Sequence, residues 1–287
     1  MADLPRLEDL CFERDGVRLH AVAAGPKDGP LVILLHGFPE FWYSWRKQIG
    51  PLSEAGFRVV APDQRGYNLS SKLPEIADYA VSNLTADVIF IADQLGAQRF
   101  HLAGHDWGAA VAWATALQYP GRLKKLAILN VPHPSVFLRT VRTNPRQMLR
   151  SWYMAFFQLP RIPESRFSAN HFAEGTKSLV ASSRPGTFTP GDLEQYRKAW
   201  SNPGTVTAMI NWYRAFFRKR PALPDPHVHV PTRILWGRRD MFLLAEMAQE
   251  SVAFCDSAEL TYFPEATHWL QHEEPEAVNA ALIEHFR

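Results

Sequence analysis

The stretch AGHDWGAA, residues 103–110, determines how the whole chain is interpreted. It follows the apolar run 100–102 and leads into an alanine-rich segment, so it predicts a buried strand, a sharp turn and a helix. The spacing Gly104-x-Asp106-x-Gly108 matches the nucleophile elbow G-x-S-x-G, in which serine normally takes the central position. The two glycines permit the tight turn that lifts the central side chain above the sheet. We therefore predict that Asp106 is a carboxylate nucleophile.

Short β-branched runs alternate with helical patterns on both sides of this stretch. The predicted strands are 31–35, 58–61, 100–103, 126–131, 233–236 and 260–263, and the predicted helices are 82–95, 107–119, 243–254 and 275–286. Ser82 is the expected N-cap of the first helix. The alternation is typical of an α/β fold with a mostly parallel sheet and helices on both faces.

The alternation stops between residues 132 and 226. This interval contains aromatic helical patterns and many prolines, but no run that predicts a buried strand. We therefore predict one core domain formed by 1–131 and 227–287, with a helical cap of residues 132–226 inserted over the active site. A separate partner-binding module is the alternative interpretation of the same interval.

Composition limits the kinds of partner and compartment that need to be considered. The 287 residues carry 31 basic and 29 acidic side chains, a net charge of +2 that does not suggest a nucleic-acid partner. Only two cysteines are present, Cys11 and Cys255, which favours a reducing cytosol over a disulfide framework. No apolar run approaches the roughly 20 residues that span a bilayer, and the N-terminus lacks a signal-peptide pattern. We expect a cytoplasmic monomer or homodimer without membrane insertion.

A nucleophile elbow on a parallel sheet requires an acid and then a histidine later in the chain. Asp240 directly follows the predicted strand 233–236, where such a carboxylate belongs, whereas Asp225 and Asp256 lie at the insertion boundary and at a helix end. His268 follows the predicted strand 260–263. We therefore predict a catalytic triad of Asp106, Asp240 and His268.

The loop His36-Gly37-Phe38-Pro39 follows the first predicted strand. In a fold of this type the backbone N–H of Phe38 and that of Trp107, beside the nucleophile, are expected to form the oxyanion hole. A metal is not expected, because His268 and His272 have the spacing of a metal-binding helix but lack the glutamate of H-E-x-x-H and a third ligand.

The predicted cap contains nearly the same phrase twice, WYMAFF at 152–157 and WYRAFF at 212–217. On a helix, Tyr153 and Tyr213 each share a face with phenylalanines three and four residues later. A phenol drawn into an apolar interior needs a hydrogen-bond partner, so the pair indicates two donors directed into a pocket, with ordinary core residues as the alternative. The predicted pocket also includes His36, Phe38, Pro39, Trp107, Phe156, Phe217 and Trp269.

Together these motifs resemble the soluble epoxide hydrolases of the α/β-hydrolase fold, of the microbial and plant type. The resemblance extends from about Phe12 to Phe286 and rests on HGFPEFWYSWR, DQRGYNLSS, GHDWGA, WYMAFFQLP, NWYR, GRRD and THW. It implies that Tyr153 and Tyr213 donate to the epoxide oxygen, that Phe38–Pro39 is a cis bond, and that no cofactor or metal is needed. Thr267 departs from the glycine that many relatives carry before the histidine.

The resemblance implies that an apolar epoxide and water give a vicinal diol. Asp106, ionised at neutral pH because its reference pKa is about 4, would form an alkyl-enzyme ester that water activated by His268 then hydrolyses. A haloalkane or haloacid dehalogenase is the first alternative, with Trp107 holding halide. Against it, Phe38 stands where haloalkane-cleaving relatives usually carry asparagine, and Tyr153 where fluoroacetate-cleaving relatives carry histidine. A non-catalytic ligand-binding protein is the second alternative.

Overall fold

The computed structural model describes residues 6–218 and 225–287. Within them, eight strands form one sheet: β1 (Glu8–Arg14), β2 (Val17–Ala24), β3 (Leu31–Leu35), β4 (Arg58–Pro62), β5 (Phe100–His105), β6 (Leu123–Leu129), β7 (Thr232–Gly237) and β8 (Ala258–Phe263). Their order across the sheet is β1-β2-β4-β3-β5-β6-β7-β8. β2 is antiparallel to both neighbours, and all other pairs are parallel. The predicted α/β-hydrolase fold is confirmed.

The central strands are apolar throughout because helices cover both faces of the sheet. Every residue of β3 is buried. Ile33 and Leu35 belong to the apolar cluster on one face, whereas Val32 and Leu34 belong to the cluster on the other. Ile33 lies opposite Val60 of β4 and Leu102 of β5, so the register aligns apolar side chains across three parallel strands. This two-sided burial explains why continuous apolar runs predicted these strands.

Twelve α-helices occur in the described part of the chain. They are α1 (Arg46–Glu54), α2 (Val81–Gln94), α3 (Trp107–Gln118), α4 (Pro134–Thr143), α5 (Pro145–Arg150), α6 (Trp152–Phe156), α7 (Ile162–Ala181), α8 (Pro190–Trp200), α9 (Thr205–Arg218), α10 (Glu246–Val252), α11 (Leu270–Glu273) and α12 (Pro275–Phe286). None of those helices is both long and apolar enough to cross a bilayer.

Helices α4–α9 lie between β6 and β7 in the chain, within the interval for which the sequence predicts an inserted cap. Two tryptophans attach them to the loops that follow β3 and β4. The indole N–H of Trp200 donates to the Pro39 carbonyl at 2.6 Å, and that of Trp212 donates to the Arg65 carbonyl at 3.0 Å. The helices are therefore held over the carboxyl ends of the parallel strands, where ligands bind in open α/β sheets.

The structure differs from the sequence-based expectation in β1, β2, α1 and α11, which were not predicted, and at the start of α2. β1 and β2 were not predicted, because β1 alternates exposed and half-buried residues at the sheet edge and so lacks a continuous apolar run. Ser82 is not the N-cap of α2: the helix begins at Val81 after Ala80, which provides no side-chain cap.

Candidate active site

Asp106 lies in the turn between β5 and α3 with φ 50° and ψ −124°, a conformation that is unusual for a residue with a Cβ. The surrounding glycines leave room for this turn. A Cβ at Gly104 would clash with the Gly108 carbonyl, and a Cβ at Gly108 would clash with the carbonyl oxygens of Leu35 and His36. The turn therefore holds the carboxylate in a strained, fixed position above the sheet, as the G-x-D-x-G spacing predicted.

The structure brings the three residues of the predicted triad together. His268 Nε2 lies 3.3 Å from Asp106 Oδ2, and His268 Nδ1 lies 2.7 Å from Asp240 Oδ2. The other oxygen of Asp240 accepts the backbone N–H groups of Phe242 at 2.7 Å and Leu243 at 2.9 Å. Asp240 is thus held by the backbone on one side and orients the imidazole on the other, the arrangement of a nucleophile, a base and an orienting acid.

Charge favours the ionised forms of both Asp106 and His268. Burial opposes the charged form of His268, but the carboxylates of Asp240 and Asp106 outweigh it and raise the pKa of His268 to about 10. Burial also opposes ionisation of Asp106, yet the hydrogen bond and charge of His268, together with the Phe38 N–H, lower the pKa of that carboxyl. At neutral pH Asp106 is a carboxylate paired with an imidazolium.

The loop after β3 places a hydrogen-bond donor beside the Asp106 carboxylate. The N–H of Phe38 donates to Asp106 Oδ1 at 2.7 Å, and the Phe38–Pro39 peptide bond is cis, as predicted. A Cβ at Gly37 would clash with the Asp106 side chain, so only glycine permits this close approach. Trp107 is the first residue of α3, and its N–H therefore has no acceptor within the helix.

Tyr153 of α6 and Tyr213 of α9 line the same cavity as Asp106. Their ring centroids lie 5.9 Å apart and the rings meet edge to face. Burial raises the pKa of both phenols far above the usual value, and the negative charge of Asp106 adds to the increase. Both tyrosines are therefore protonated donors at physiological pH, as a role in proton donation requires.

The cavity has a volume of about 160 Å³ and is mainly apolar. Apart from Asp106, Tyr153 and Tyr213, its lining consists of Val81, Trp107, Ala110, Ala114, Val131, Pro132, Pro134, Phe137, Leu138, Met154, Phe216 and Leu243. Such a lining suits an uncharged organic ligand with one polar group directed at the aspartate and the tyrosines.

The predicted lining requires correction at several positions. Phe217 is 48% exposed, and its neighbour Phe216 lines the cavity instead. Both residues follow Tyr213 on the same helical face, at three and four residues, but only Phe216 points into the cavity. Met154 of α6 lines the cavity, whereas the half-buried Phe156 packs against the Trp152 ring.

Four other predicted pocket residues lie outside the cavity lining and contact the loops that surround it. The Phe38 ring packs edge-on against Tyr213, with centroids 5.2 Å apart. His36 is fully buried and accepts the Gln64 N–H at 3.0 Å. The indole of Trp269 donates to the Ser182 hydroxyl at 2.8 Å, and the Pro39 carbonyl accepts the Trp200 indole. These contacts fix loops around the cavity.

Sequence reasoning did not identify Glu40, the fifth residue of the HGFPE loop. Its buried carboxylate accepts the Tyr196 hydroxyl at 2.6 Å, and it lies 2.7 Å from His272 Nε2 and 3.5 Å from His105 Nδ1. The other ring nitrogen of His105 lies 2.8 Å from the His268 carbonyl oxygen. A continuous polar network therefore joins a helix of the insertion to the backbone of the base.

Asn130, the first residue after β6, was also not identified. The side-chain amide nitrogen Nδ2 donates to Asp240 Oδ2 at 2.8 Å, and the side-chain oxygen Oδ1 accepts the Gly237 N–H at 3.0 Å. Its φ of 53° is one that asparagine tolerates better than most residues. An asparagine at the carboxyl end of a core strand, beside the strand that leads to Asp240, is the sequence signal that could have found it.

We expect Asn130→Ala to lower the free energy of unfolding by about 1–3 kcal/mol more than Asn170→Ala, measured by urea denaturation. Asn170 has a similar φ of 49° but is exposed, so this control carries the same backbone strain without the buried amide. The difference therefore isolates the hydrogen bonds to Asp240 and Gly237. Equal losses in the two variants would show that backbone strain alone makes asparagine necessary at position 130.

Comparisons with known proteins agree with this architecture. Residues 30–275 match the family described as alpha/beta hydrolase fold. The chain is 45% identical over 273 residues to the AB hydrolase superfamily protein YfhM of Bacillus subtilis (strain 168), covering 95% of this chain and 96% of that protein. It is 41% identical to epoxide hydrolase 4 of Mus musculus over 288 aligned positions, covering 97% of this chain and 79% of that protein.

Solved structures extend the match to three dimensions. The epoxide hydrolase of Bacillus megaterium, in complex with an inhibitor, superimposes with a TM-score of 0.88 at 32% identity, covering 96% of this chain and 99% of that chain. The Vigna radiata epoxide hydrolase VrEH1 gives a TM-score of 0.81 at 27% identity, covering 97% of each chain. Because both its sequence and its fold match epoxide hydrolases over nearly the whole chain, the protein belongs to the epoxide hydrolase family of the α/β-hydrolase fold.

Proposed function

We propose that this epoxide hydrolase converts apolar epoxides to vicinal diols through a covalent ester on Asp106. The observation that carries the proposal is an ionised carboxylate facing two protonated phenols across one apolar cavity. Displacement at an epoxide carbon needs a nucleophile on one side and a proton donor for the poor alkoxide leaving group on the other. The site holds both kinds of group and little else that is polar.

In the first step, an oxygen of Asp106 attacks a ring carbon and the carbon–oxygen bond of the epoxide breaks. The electron pair moves to the ring oxygen, which takes a proton from Tyr153 or Tyr213. The new bond is an ester between the substrate carbon and the Asp106 carboxyl. The Phe38 N–H, 2.7 Å from the other carboxyl oxygen, steers which oxygen is free to attack.

In the second step, water attacks the ester carbonyl carbon, and His268 removes its proton. Esterification removes the negative charge of Asp106, one of the two groups that raise the pKa of His268. The pKa of the imidazole therefore falls after the first step, and the imidazolium proton passes to the phenolate that ring opening left behind. This transfer restores the tyrosine and leaves a neutral imidazole that can take the proton of the attacking water, which regenerates the imidazolium. The Phe38 and Trp107 N–H groups stabilise the tetrahedral oxyanion, and its collapse releases the diol and regenerates Asp106.

The helices α4–α9 take the role of a cap in this proposal, with core segments 1–131 and 227–287 and cap 132–226. Tyr153 and Tyr213 both come from these helices, whereas the triad comes from the loops of the sheet. Closure of the cap over the sheet would exclude water from ring opening. A cytoplasmic location is part of the same proposal, supported by the free thiols of Cys11 and Cys255.

The test is a single turnover in water enriched in heavy oxygen, with enzyme in excess over a styrene-type epoxide. We expect the label in the Asp106 carboxylate, read by peptide mass spectrometry, and an unlabelled diol, because water attacks the ester carbonyl. Enzyme incubated in the same water without substrate is the control and should stay unlabelled. Label found directly in the diol would mean that water attacks the epoxide and that Asp106 acts only as a base.

A further inference from the structure

The inserted helices expose a group of large apolar side chains that lie close together in the chain, here called the cap patch: Met148, Leu149, Trp152, Leu159 and Ile162. Leu149 is 75% exposed and Trp152 is 63% exposed. Of the nine exposed large apolar side chains in the part of the chain that the structure describes, these five fall within fifteen consecutive residues. Exposed apolar residues scattered singly need no explanation, but a cluster of this kind marks an interaction surface.

Part of the cap patch arises because α6 carries apolar side chains on two of its faces. On α6, Tyr153 and Met154 line the cavity, so this face is occupied by the active site. Trp152, on the outer face, follows Leu149 at helical spacing and packs against Phe156, with ring centroids 6.0 Å apart. The inner face carries Tyr153, which takes part in the proposed reaction, whereas the side chains of the outer face take no part in it.

The segment of chain that carries the cap patch has charged side chains of one sign only. Residues 132–163 contain five arginines and no aspartate, glutamate or lysine. Arg139 and Arg146 lie beside Glu250 and Glu246 of α10, both pairs being exposed. The other three are Arg142, Arg150 and Arg161. Of these, Arg142 and Arg161 are exposed, whereas Arg150 is half-buried and donates to the backbone carbonyls of Asp240 and Leu243.

We propose that the cap patch docks on an anionic lipid surface. Tryptophan and aliphatic side chains flanked by arginines form the combination that binds the interface of a membrane, since the apolar groups enter the headgroup boundary and the cations meet acidic lipids. A second copy of this chain fits less well. A twofold contact through the cap patch would bring the same arginines of both copies together, and like charges across an interface repel.

Docking has a consequence for substrate supply that rests on the proposed function. Apolar epoxides accumulate in lipid, so an enzyme held at the surface by its cap would meet them at a higher concentration than in water. The docking itself depends only on the cap patch and its arginines, and binding can therefore be measured without any turnover.

The experiment is co-sedimentation with phosphatidylcholine vesicles, with and without phosphatidylserine. We expect the intact protein to bind the vesicles that contain phosphatidylserine, with binding that weakens as salt rises, because salt screens exposed charges. Leu149→Ser combined with Trp152→Ser should reduce this binding by roughly tenfold or more, since each removes a large apolar side chain from the contact. Val180→Ser, which changes an exposed side chain of α7 outside the cap patch, is the matched control and should bind as the wild type does.

Two further measurements distinguish a loss of membrane binding from a loss of the fold. Turnover of a water-soluble epoxide without vesicles, and the unfolding temperature, should be the same in the double serine variant as in the wild type, which shows that the site and fold are intact. Equal vesicle binding by the double variant, or no vesicle binding by the wild type, would overturn the proposal. Self-association in light scattering that the double variant loses, without vesicle binding, would instead identify the cap patch as a contact between copies and would also overturn it.

Discussion

Replacing both Tyr153 and Tyr213 with phenylalanine is expected to slow ring opening by about 10²–10⁴-fold or more, because general-acid assistance typically contributes that much. Each single variant leaves one phenol in the cavity and should slow the same step less. The substitution preserves the aromatic rings, which pack edge to face with centroids 5.9 Å apart, so the loss reports on the hydroxyls and not on the core. Ester formation can be followed in single turnovers by rapid quench and intact-protein mass.

Tyr79→Phe is the matched control for this experiment. Its hydroxyl is also buried and hydrogen-bonded, to the backbone of Leu73 at 2.8 Å, but it lies outside the cavity lining. We expect it to lower stability without slowing ring opening. If the double variant opened epoxides at the wild-type rate, Tyr153 and Tyr213 would be ordinary core residues. The dehalogenase alternative, with Trp107 holding halide, would then be preferred.

His268→Gln is expected to stop the reaction at the ester, so that the mass of the intact protein rises by one substrate. Ring opening uses Asp106 and the tyrosines and should continue, whereas ester hydrolysis loses its base and should slow by about 10²–10⁴-fold. Asp240→Asn should slow hydrolysis less, because the imidazole remains but loses the partner 2.7 Å from its Nδ1. His285→Gln replaces a histidine whose Nε2 lies 2.9 Å from the Leu126 carbonyl oxygen and not beside Asp106, and this variant should accumulate no ester.

The two steps are also expected to differ in their dependence on pH. The carboxylates of Asp240 and Asp106 together raise the pKa of His268 to about 10 before the reaction, and esterification removes the contribution of Asp106. Hydrolysis of the ester should therefore slow as the pH falls below the lowered pKa of the imidazole, since the protonated ring cannot accept a proton. Ring opening should persist to lower pH, because the pKa of Asp106 is itself lowered. Ester decay that did not vary with pH, together with unchanged turnover of His268→Gln, would assign the base elsewhere.

Predictions from the sequence succeeded where a local pattern has one physical explanation. The runs at 31–35, 58–61 and 100–103 are mainly apolar because both faces of those strands are covered, and the structure confirms all three strands. β1 alternates because one of its faces meets solvent, and its charged residues obscure the strand pattern. The Ser82 prediction failed because the chain passes from the 3₁₀ helix Ile76–Tyr79 through the extended residue Ala80 directly into α2, so that Ser82 already lies inside the helix.

The sequence by itself determined the turn around Asp106 and the helical positions of Tyr153 and Tyr213, because each depends on spacing within a short segment. The grouping of Asp106, Asp240 and His268 was predicted from their order along the chain and their positions after strands. Only the tertiary structure decided that Asn130 holds Asp240, 110 residues later, and that Glu40 connects to His105 and His272. The tertiary structure also decided that Phe216 lines the cavity while Phe217 is exposed. Helical periodicity restricts a side chain to a face about 100° wide, but which neighbour on that face fills the cavity depends on packing against elements distant in the chain.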